Sequence, residues 1–502
     1  MKKKLRDKGG ANARQLRAGR WAAFPCLLSC LLSGGGNEAQ AGTFDLQPRV
    51  ETRFTVTDNV LLTETDTITD TALILSPGLN YQARGAHLDA AVDYWVDYLV
   101  FLNDGTTESR PNGVAVIDYI GLDDRLRLSG RGSLQQSFID RQQSLSGNIG
   151  NRSDNRQLIQ TYTASAEFTS RIRNVADYTL RYRFGVSLSG ADDLDDDSFT
   201  TRFSDTTSHE GDITVDTGER FGWLRFRADG RVRRVERSLD VPSFRNDRWS
   251  GEVWFRLARS FWLIGSAGYT DNNLQNSDLA EEGFFWESGF RWVPSRRTAF
   301  EARHGRVGNR PLWDVSLNHQ LTRRVDIRAT YVDRISANTI VGNLGLEGFS
   351  RDDNLGIVDP SGQPITQVDQ PFTLSDIDFR RQAGNVTLNW RDKRNQVFLN
   401  SSYERRTFDD DSGVSVSWSG GTGYSHRITR NSDFRAEASY RSNDFEGGDR
   451  RDQTILASLS YRKTFSQNVF GDITYNYSQR FSNAEGGDLR ENAVTLFLRA
   501  RF

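Results

Sequence analysis

The chain has 502 residues, 36% of them hydrophobic and 26% charged, with a mean hydropathy of −0.61. So large a chain should bury a big core, and this apolar share is thin for one. Eight of the 64 basic and two of the 66 acidic residues precede Gly42, which leaves 56 against 64, a mild acidic excess that argues against a nucleic-acid binder.

The first stretch is basic, with Lys2, Lys3, Lys4, Arg6, Lys8, Arg14, Arg17 and Arg20. A short apolar run, Trp21 to Leu32, and an Ala39-Gln40-Ala41 site follow. That order predicts a secretory signal peptide over 1–41 and a mature domain over 42–502. The run is too short for a membrane-spanning helix. Both cysteines, Cys26 and Cys30, lie in it, so disulfides and thiolate sites are excluded downstream. Leu27-Leu28-Ser29-Cys30 also loosely resembles a lipoprotein box, which keeps lipidation at Cys30 open against cleavage after Ala41.

Beyond Ala41 the pattern has period two, the signature of strands with one apolar face. In Phe44 to Val56, Phe44, Leu46, Val50, Phe54 and Val56 share one face, and Arg49, Glu51 and Arg53 the other. After a Thr/Asp-rich loop, Leu73, Leu75, Leu79 and Tyr81 form the next apolar row. Leu88, Val92, Tyr94, Val96 and Tyr98 then oppose Asp89, Asp93 and Asp97. The alternation recurs at 178–188, 224–233, 249–257, 284–292 and 434–441. It ends in Glu491 to Phe502, where Val494, Leu496, Leu498, Ala500 and Phe502 oppose Thr495, Phe497, Arg499 and Arg501. The charged faces are too polar for a second buried layer.

The connections alternate in length. Short turns are predicted near Gly85, Asp123, Arg173, Gly218, Arg259, Ser295, Thr322, Lys393, Thr429 and Lys463. Longer polar segments lie between them, at 57–71, 101–113, 139–157, 189–206, 234–248, 270–282, 334–383, 405–413, 442–453 and 478–490; the link at Gly305–Arg310 is brief. Short periplasmic turns and long extracellular loops mark outer-membrane barrels. The reading is all-β: a transmembrane antiparallel up-and-down β-barrel of about 22 strands, with 16 to 24 within the error of strand boundaries. The longest connection, 334–383, is expected to fold into the lumen as a constriction.

The candidate pore-lining residues are Arg225, Arg227, Arg231 and Arg233, with Asp89, Asp93 and Asp97 as the acidic counterpart. Rings of charge set ion preference in a pore, although charge pairing across a polar lumen explains them as simply. Asp192 to Asp197 lacks the spacing of a calcium loop. The histidines, His87, His209, His304, His319 and His426, show no metal-ligand spacing, and no nucleophile elbow is present. No catalytic residue, metal or cofactor is expected, although an outer-membrane hydrolase with a Ser/His/Asp or Asp/His site assembled from distant strands remains an alternative; the partners are outer-membrane lipid and polar solutes or polysaccharide. Trp286, Trp292, Trp418 and Tyr440 read as interface anchors rather than sugar platforms.

The terminal strand ending on Phe502 resembles the C-terminal signal that the barrel-assembly machinery reads. A second resemblance is carried by Gln47-Pro48-Arg49-Val50, Thr57-Asp58-Asn59-Val60-Leu61-Leu62, Leu75-Ser76-Pro77-Gly78-Leu79 and Leu88-Asp89-Ala90-Ala91-Val92-Asp93-Tyr94. These segments resemble the outer-membrane β-barrel proteins associated with the PEP-CTERM/exosortase system, a family linked to exopolysaccharide gene clusters. The resemblance implies a barrel with a role in polysaccharide export or envelope biogenesis, either as a porin-like channel or as a non-conducting anchor. It carries over no catalytic residues.

Overall fold

The computed structural model describes residues 42–502 except 139–145, 147, 153–155, 190–203, 239–241, 275–281, 309, 338–345, 347–349, 353–355, 359–376, 410–412 and 446–449. Phe44–Phe502 form one compact unit; the other, Met1–Thr43, lies almost wholly outside the described residues, and with it the expected signal peptide and Cys30. The acidic run Asp192 to Asp197 also falls outside them.

Alternating side chains and frequent β-branched and aromatic residues favour extended backbone. The first half of the wall is β1 (Thr43–Thr57), β2 (Asp70–Arg84), β3 (Leu88–Phe101), β4 (Thr107–Gly121), β5 (Leu126–Phe138), β6 (Arg156–Ile172), β7 (Ala176–Ser189), β8 (Thr206–Asp216), β9 (Leu224–Arg237), β10 (Phe244–Ala258) and β11 (Phe261–Asn272). It continues with β12 (Gly283–Ser295), β13 (Thr298–Val307), β14 (Arg310–Thr322) and β15 (Val325–Ser336). Two short strands, β16 (Ser350–Asp352) and β17 (Gly356–Val358), pair only with each other. The wall resumes with β18 (Phe379–Arg391), β19 (Asn395–Phe408), β20 (Val414–Thr429), β21 (Ser432–Asp444), β22 (Arg451–Thr464), β23 (Val469–Ser482) and β24 (Leu489–Arg501).

Each wall strand pairs antiparallel with the next, giving a 22-stranded sheet, and β24 returns to β1 with Arg49 opposite Arg501 and Thr57 opposite Ala493. The sheet therefore closes, and no wall strand is left with an open edge. The Phe502 amide donates to the Pro48 carbonyl at 2.9 Å, which fastens the chain end to the seam.

The outward face is apolar and exposed: Val494, Leu496 and Leu498 on β24, Phe54 and Val56 on β1, and Trp286, Trp292 and Trp418 elsewhere. Among the described residues no helix is long and apolar enough to cross a membrane, so this band is carried by strands alone. The largest fully buried side chains mix Phe101, Phe244 and Phe285 with Arg406, Glu51, Glu491, Asn59 and Asn151. A polar interior of this kind is tolerable only where each charge is paired or wet.

All the expected short turns occur, joined on the other rim by the longer connections. Several long segments are shorter than expected: 234–248 becomes 238–243, 442–453 becomes 445–450, 478–490 becomes 483–488, and 101–113 shrinks to 102–106, because Thr107 to Gly113 pair with Val100 to Tyr94. Glu108, Arg110 and Asn112 are polar because they face the lumen, not because they leave the sheet; Arg110 is buried. Gly268 marks a close approach of neighbouring strands. A Cβ there would fall 2.0 Å from the Trp249 carbonyl oxygen and 2.8 Å from the Phe285 ring.

Candidate functional site: the charged lumen

The lumen has two differently furnished sides. Along β24 and β1 to β4, inward charges are mutually engaged. Arg49 contacts Glu51 at 2.7 Å and Asp93 at 2.9 Å; Arg53 contacts Glu51 at 2.7 Å and Asp97 at 3.3 Å. Arg499 of the closing strand reaches Glu51 at 2.5 Å. Asp97 also accepts from Ser76 at 2.5 Å and from Asn112 at 2.9 Å. Asp89, Asp93 and Asp97 thus share the inward face of β3, but Asp93 and Asp97 are spent on this network.

Toward the long-loop rim the same side is filled by chain. Ser146 and Asn148, from the connection between β5 and β6, donate to the Glu491 carboxylate, Asn148 at 2.9 Å, and Thr57 donates to it at 2.8 Å. Arg110 donates to the carbonyls of Ile149 at 2.6 Å and Asn151 at 2.9 Å. Ser146, Asn148 and Asn151 are buried, so this segment lies inside the barrel mouth. Arg152 leaves it to form a two-pronged contact with Asp104, both at 2.6 Å, and lies 4.0 Å over the Phe101 ring. On this exposed rim, the hydrogen bond from Arg152, then those from Thr106, hold the Asp104 carboxyl well below the usual carboxylate range.

The longest connection also turns inward. Leu346 packs against Ala91, Val114 and Val116 of β3 and β4, and β17 lies against the same two strands. In the strand order β3 and β4 lie far from β15 and β18, between which Leu346 and β17 fall in the chain.

The other side, β7 to β15, surrounds a cavity of about 560 Å³. Arg181, Asp212, Arg227, Asp229, Arg231, Arg233, Arg248, Glu252, Glu287, Glu301, Arg303, Asp314 and Arg334 line it. Of the expected arginine row, Arg227, Arg231 and Arg233 reach this cavity, while Arg225 sits lower, bound to Asp216 at 2.8 Å and 5.1 Å from the Trp254 ring. Arg227 pairs with Asp229 at 2.8 Å, Arg231 with Asp212 at 2.6 Å and Arg233 with Glu210 at 2.7 Å. Arg231 remains about half exposed within its pair, at 49%. At the long-loop end, Val235 and Phe244 pack on Ile335 and Ala337, and Arg237 binds Asp378 at 2.5 Å. These contacts tie β9 and β10 to β15 and the approach to β18.

The arrangement can attract, sort and hydrate small ions and polar solutes. Among the described residues no group of three or more His, Cys, Asp or Glu side chains could hold a metal ion. Sequence reasoning passed over Glu491, Ser146, Asn148, Asp314 and Arg334. Glu491 shares the parity of Thr495 and Arg499, which was the available signal. Arg334 stood inside what reads as the longest loop.

The family model described as "Putative beta-barrel porin 2" matches residues 382–502. Those residues run from β18 to the chain end, through the closing strand. No curated protein matches the chain in sequence. Among solved structures, it is similar to the FrpB iron transporter from Neisseria meningitidis (F3-3 variant), at 10% identity over 94% of this chain and 83% of that one, with a TM-score of 0.48. The siderophore receptor PirA from Acinetobacter baumannii is similar at 9% identity over 91% and 80%, with a TM-score of 0.47. OmpT (in-vitro folded), an outer membrane protein of Vibrio cholerae, is similar at 11% identity over 93% and 99%, with a TM-score of 0.30.

Proposed function

We propose that the chain is a porin-like channel of the bacterial outer membrane, passing polar solutes by selective permeation and doing no covalent chemistry. The observation that carries this reading is the charged cavity of about 560 Å³ inside a closed barrel with an apolar outer band. Lipid meets the band, and the barrel-assembly machinery reads the strand ending on Phe502. Folded protein in planar bilayers should give stepwise conductance; well-folded barrels without conductance would remove the channel reading. Deleting Phe502 should lower the outer-membrane level of the protein more than it changes conductance per molecule.

The finer proposal is a place in exopolysaccharide export, within a PEP-CTERM/exosortase-type envelope system. It rests on the resemblance of the first three strands. A deletion strain that secretes normal amounts of polysaccharide would end it.

A second reading is a non-conducting assembly partner or anchor in the same setting. It is favoured by the buried segment around Ser146 to Asn151 and by Leu346, which occupy part of the lumen. Silent bilayers, together with co-purification of envelope components, would favour it.

A further inference from the structure

Within the cavity, almost every charge has a partner. Arg231 pairs with Asp212, Arg233 with Glu210 and Arg248 with Glu287; Arg303 is committed to both Glu252 and Glu301. Arg381, beside Arg334 on the neighbouring strand, pairs with Glu404 at 2.8 Å.

Arg334 and Asp314 are different. Both line the cavity and are exposed into it. Among the described residues neither makes an ion pair or a side-chain hydrogen bond. They sit on adjacent strands, with Asp314 opposite Val332, so Arg334 is its diagonal neighbour. That offset sets their backbones roughly 7–8 Å apart; the two side chains are not paired with each other, and one ligand can touch both. The residue directly opposite Asp314 on its other side is Arg303, whose guanidinium is held elsewhere.

We propose that Arg334 and Asp314 form a two-point binding site for a hydroxylated carboxylate, a sugar acid in chemical class. The guanidinium would take the carboxylate through two parallel N–H donors. The Asp314 carboxylate, an acceptor only, would take hydroxyl donors from the same molecule. Arg231, paired with Asp212 on the neighbouring strand, lines the same cavity. The cavity falls in the range of roughly 300–1,000 Å³ usual for small-molecule sites. The proposal deepens the channel reading by naming the class of solute that pauses in the lumen.

The test is equilibrium titration of the detergent-folded full chain with sodium glucuronate and, separately, with glucose. Glucuronate should bind saturably and at least tenfold more tightly than glucose. Arg334→Gln should erase that preference, and Asp314→Asn should weaken glucuronate binding several-fold. Arg451→Gln, in an exposed pair with Asp444 outside this cavity, should bind as the parent does. Equal binding of the two sugars, absence of saturable glucuronate binding by heat-modifiable barrels, or a parental Arg334→Gln variant would each overturn the site. Binding needs no conductance, so the two readings fail separately. A barrel that binds glucuronate but passes no current supports the site and refutes the channel; a conducting barrel that does not bind refutes the site alone.

Discussion

The two sides of the lumen are built from the same two-faced strand and put it to opposite use. Along β24 and β1 to β4 the inward polar groups hold other parts of the chain, and Glu491, Arg49 and Glu51 are almost inaccessible to water. Along β7 to β15 the inward groups are paired across or along strands and several still face open space, as Arg231 does in its pair with Asp212 and Arg227 in its pair with Asp229. An inward charge can therefore be a structural clasp or part of a solvated surface, and exposure separates the two. Truncation should cost stability on the first side and alter permeation on the second.

The largest effect is expected from Glu491→Ala. It strands the buried donors of Ser146, Asn148 and Thr57, at about 1–3 kcal/mol for each group left unsatisfied. The temperature at which the folded band disappears on gels should fall clearly, and conductance should rise as the inner segment loosens. An unchanged midpoint would break the distinction between the sides. Next is Gly268→Ala, which forces a Cβ against the Trp249 carbonyl; it should destabilise by about 1–3 kcal/mol, read from the same midpoint.

Arg231→Gln sharpens the comparison from the open side. A half-exposed pair contributes about 0–1 kcal/mol, so stability should barely move. The zero-current potential in a salt gradient should shift toward cation preference. Arg49→Gln should do the reverse, lowering the melting midpoint with little change in selectivity.

The smallest effect concerns the rim. The Asp104 carboxyl is held low by Arg152 and Thr106, so its contribution is complete above the unfolded value of about 4 and fades as pH falls through the depressed folded value. The protection factor of the backbone amides near Arg152, which corrects for the intrinsic slowing of exchange in acid, should fall below about pH 4, and Asp104→Asn should remove that dependence.

The barrel was legible because its alternation and short turns are local signals. Phe54 and Val56 against Arg53 and Thr55, or Arg296-Arg297 between two apolar rows, need no distant partner to be read. Strand ends were harder to place. Thr107 to Arg110 looks like a loop because a wet lumen wall and a loop draw on the same residues, and Arg334 was hidden in the same way. The arginine row was visible as a row, and its partner Asp229 stands in it, but its pairing with Glu210, Asp212 and Asp216 depends on strand register. The clasp on Glu491 was illegible for another reason: Ser146 is 345 positions away in the chain.

That separation has a consequence for the order of events during biogenesis. The seat for Ser146 and Asn148 is supplied by β24, the strand that closes the wall onto β1. Arg110 of β4 can hold Ile149 and Asn151 before β24 pairs with β1, but the carboxylate that fixes Ser146 and Asn148 is absent until it does. Closing the wall and clamping this part of the inner segment are therefore a single step.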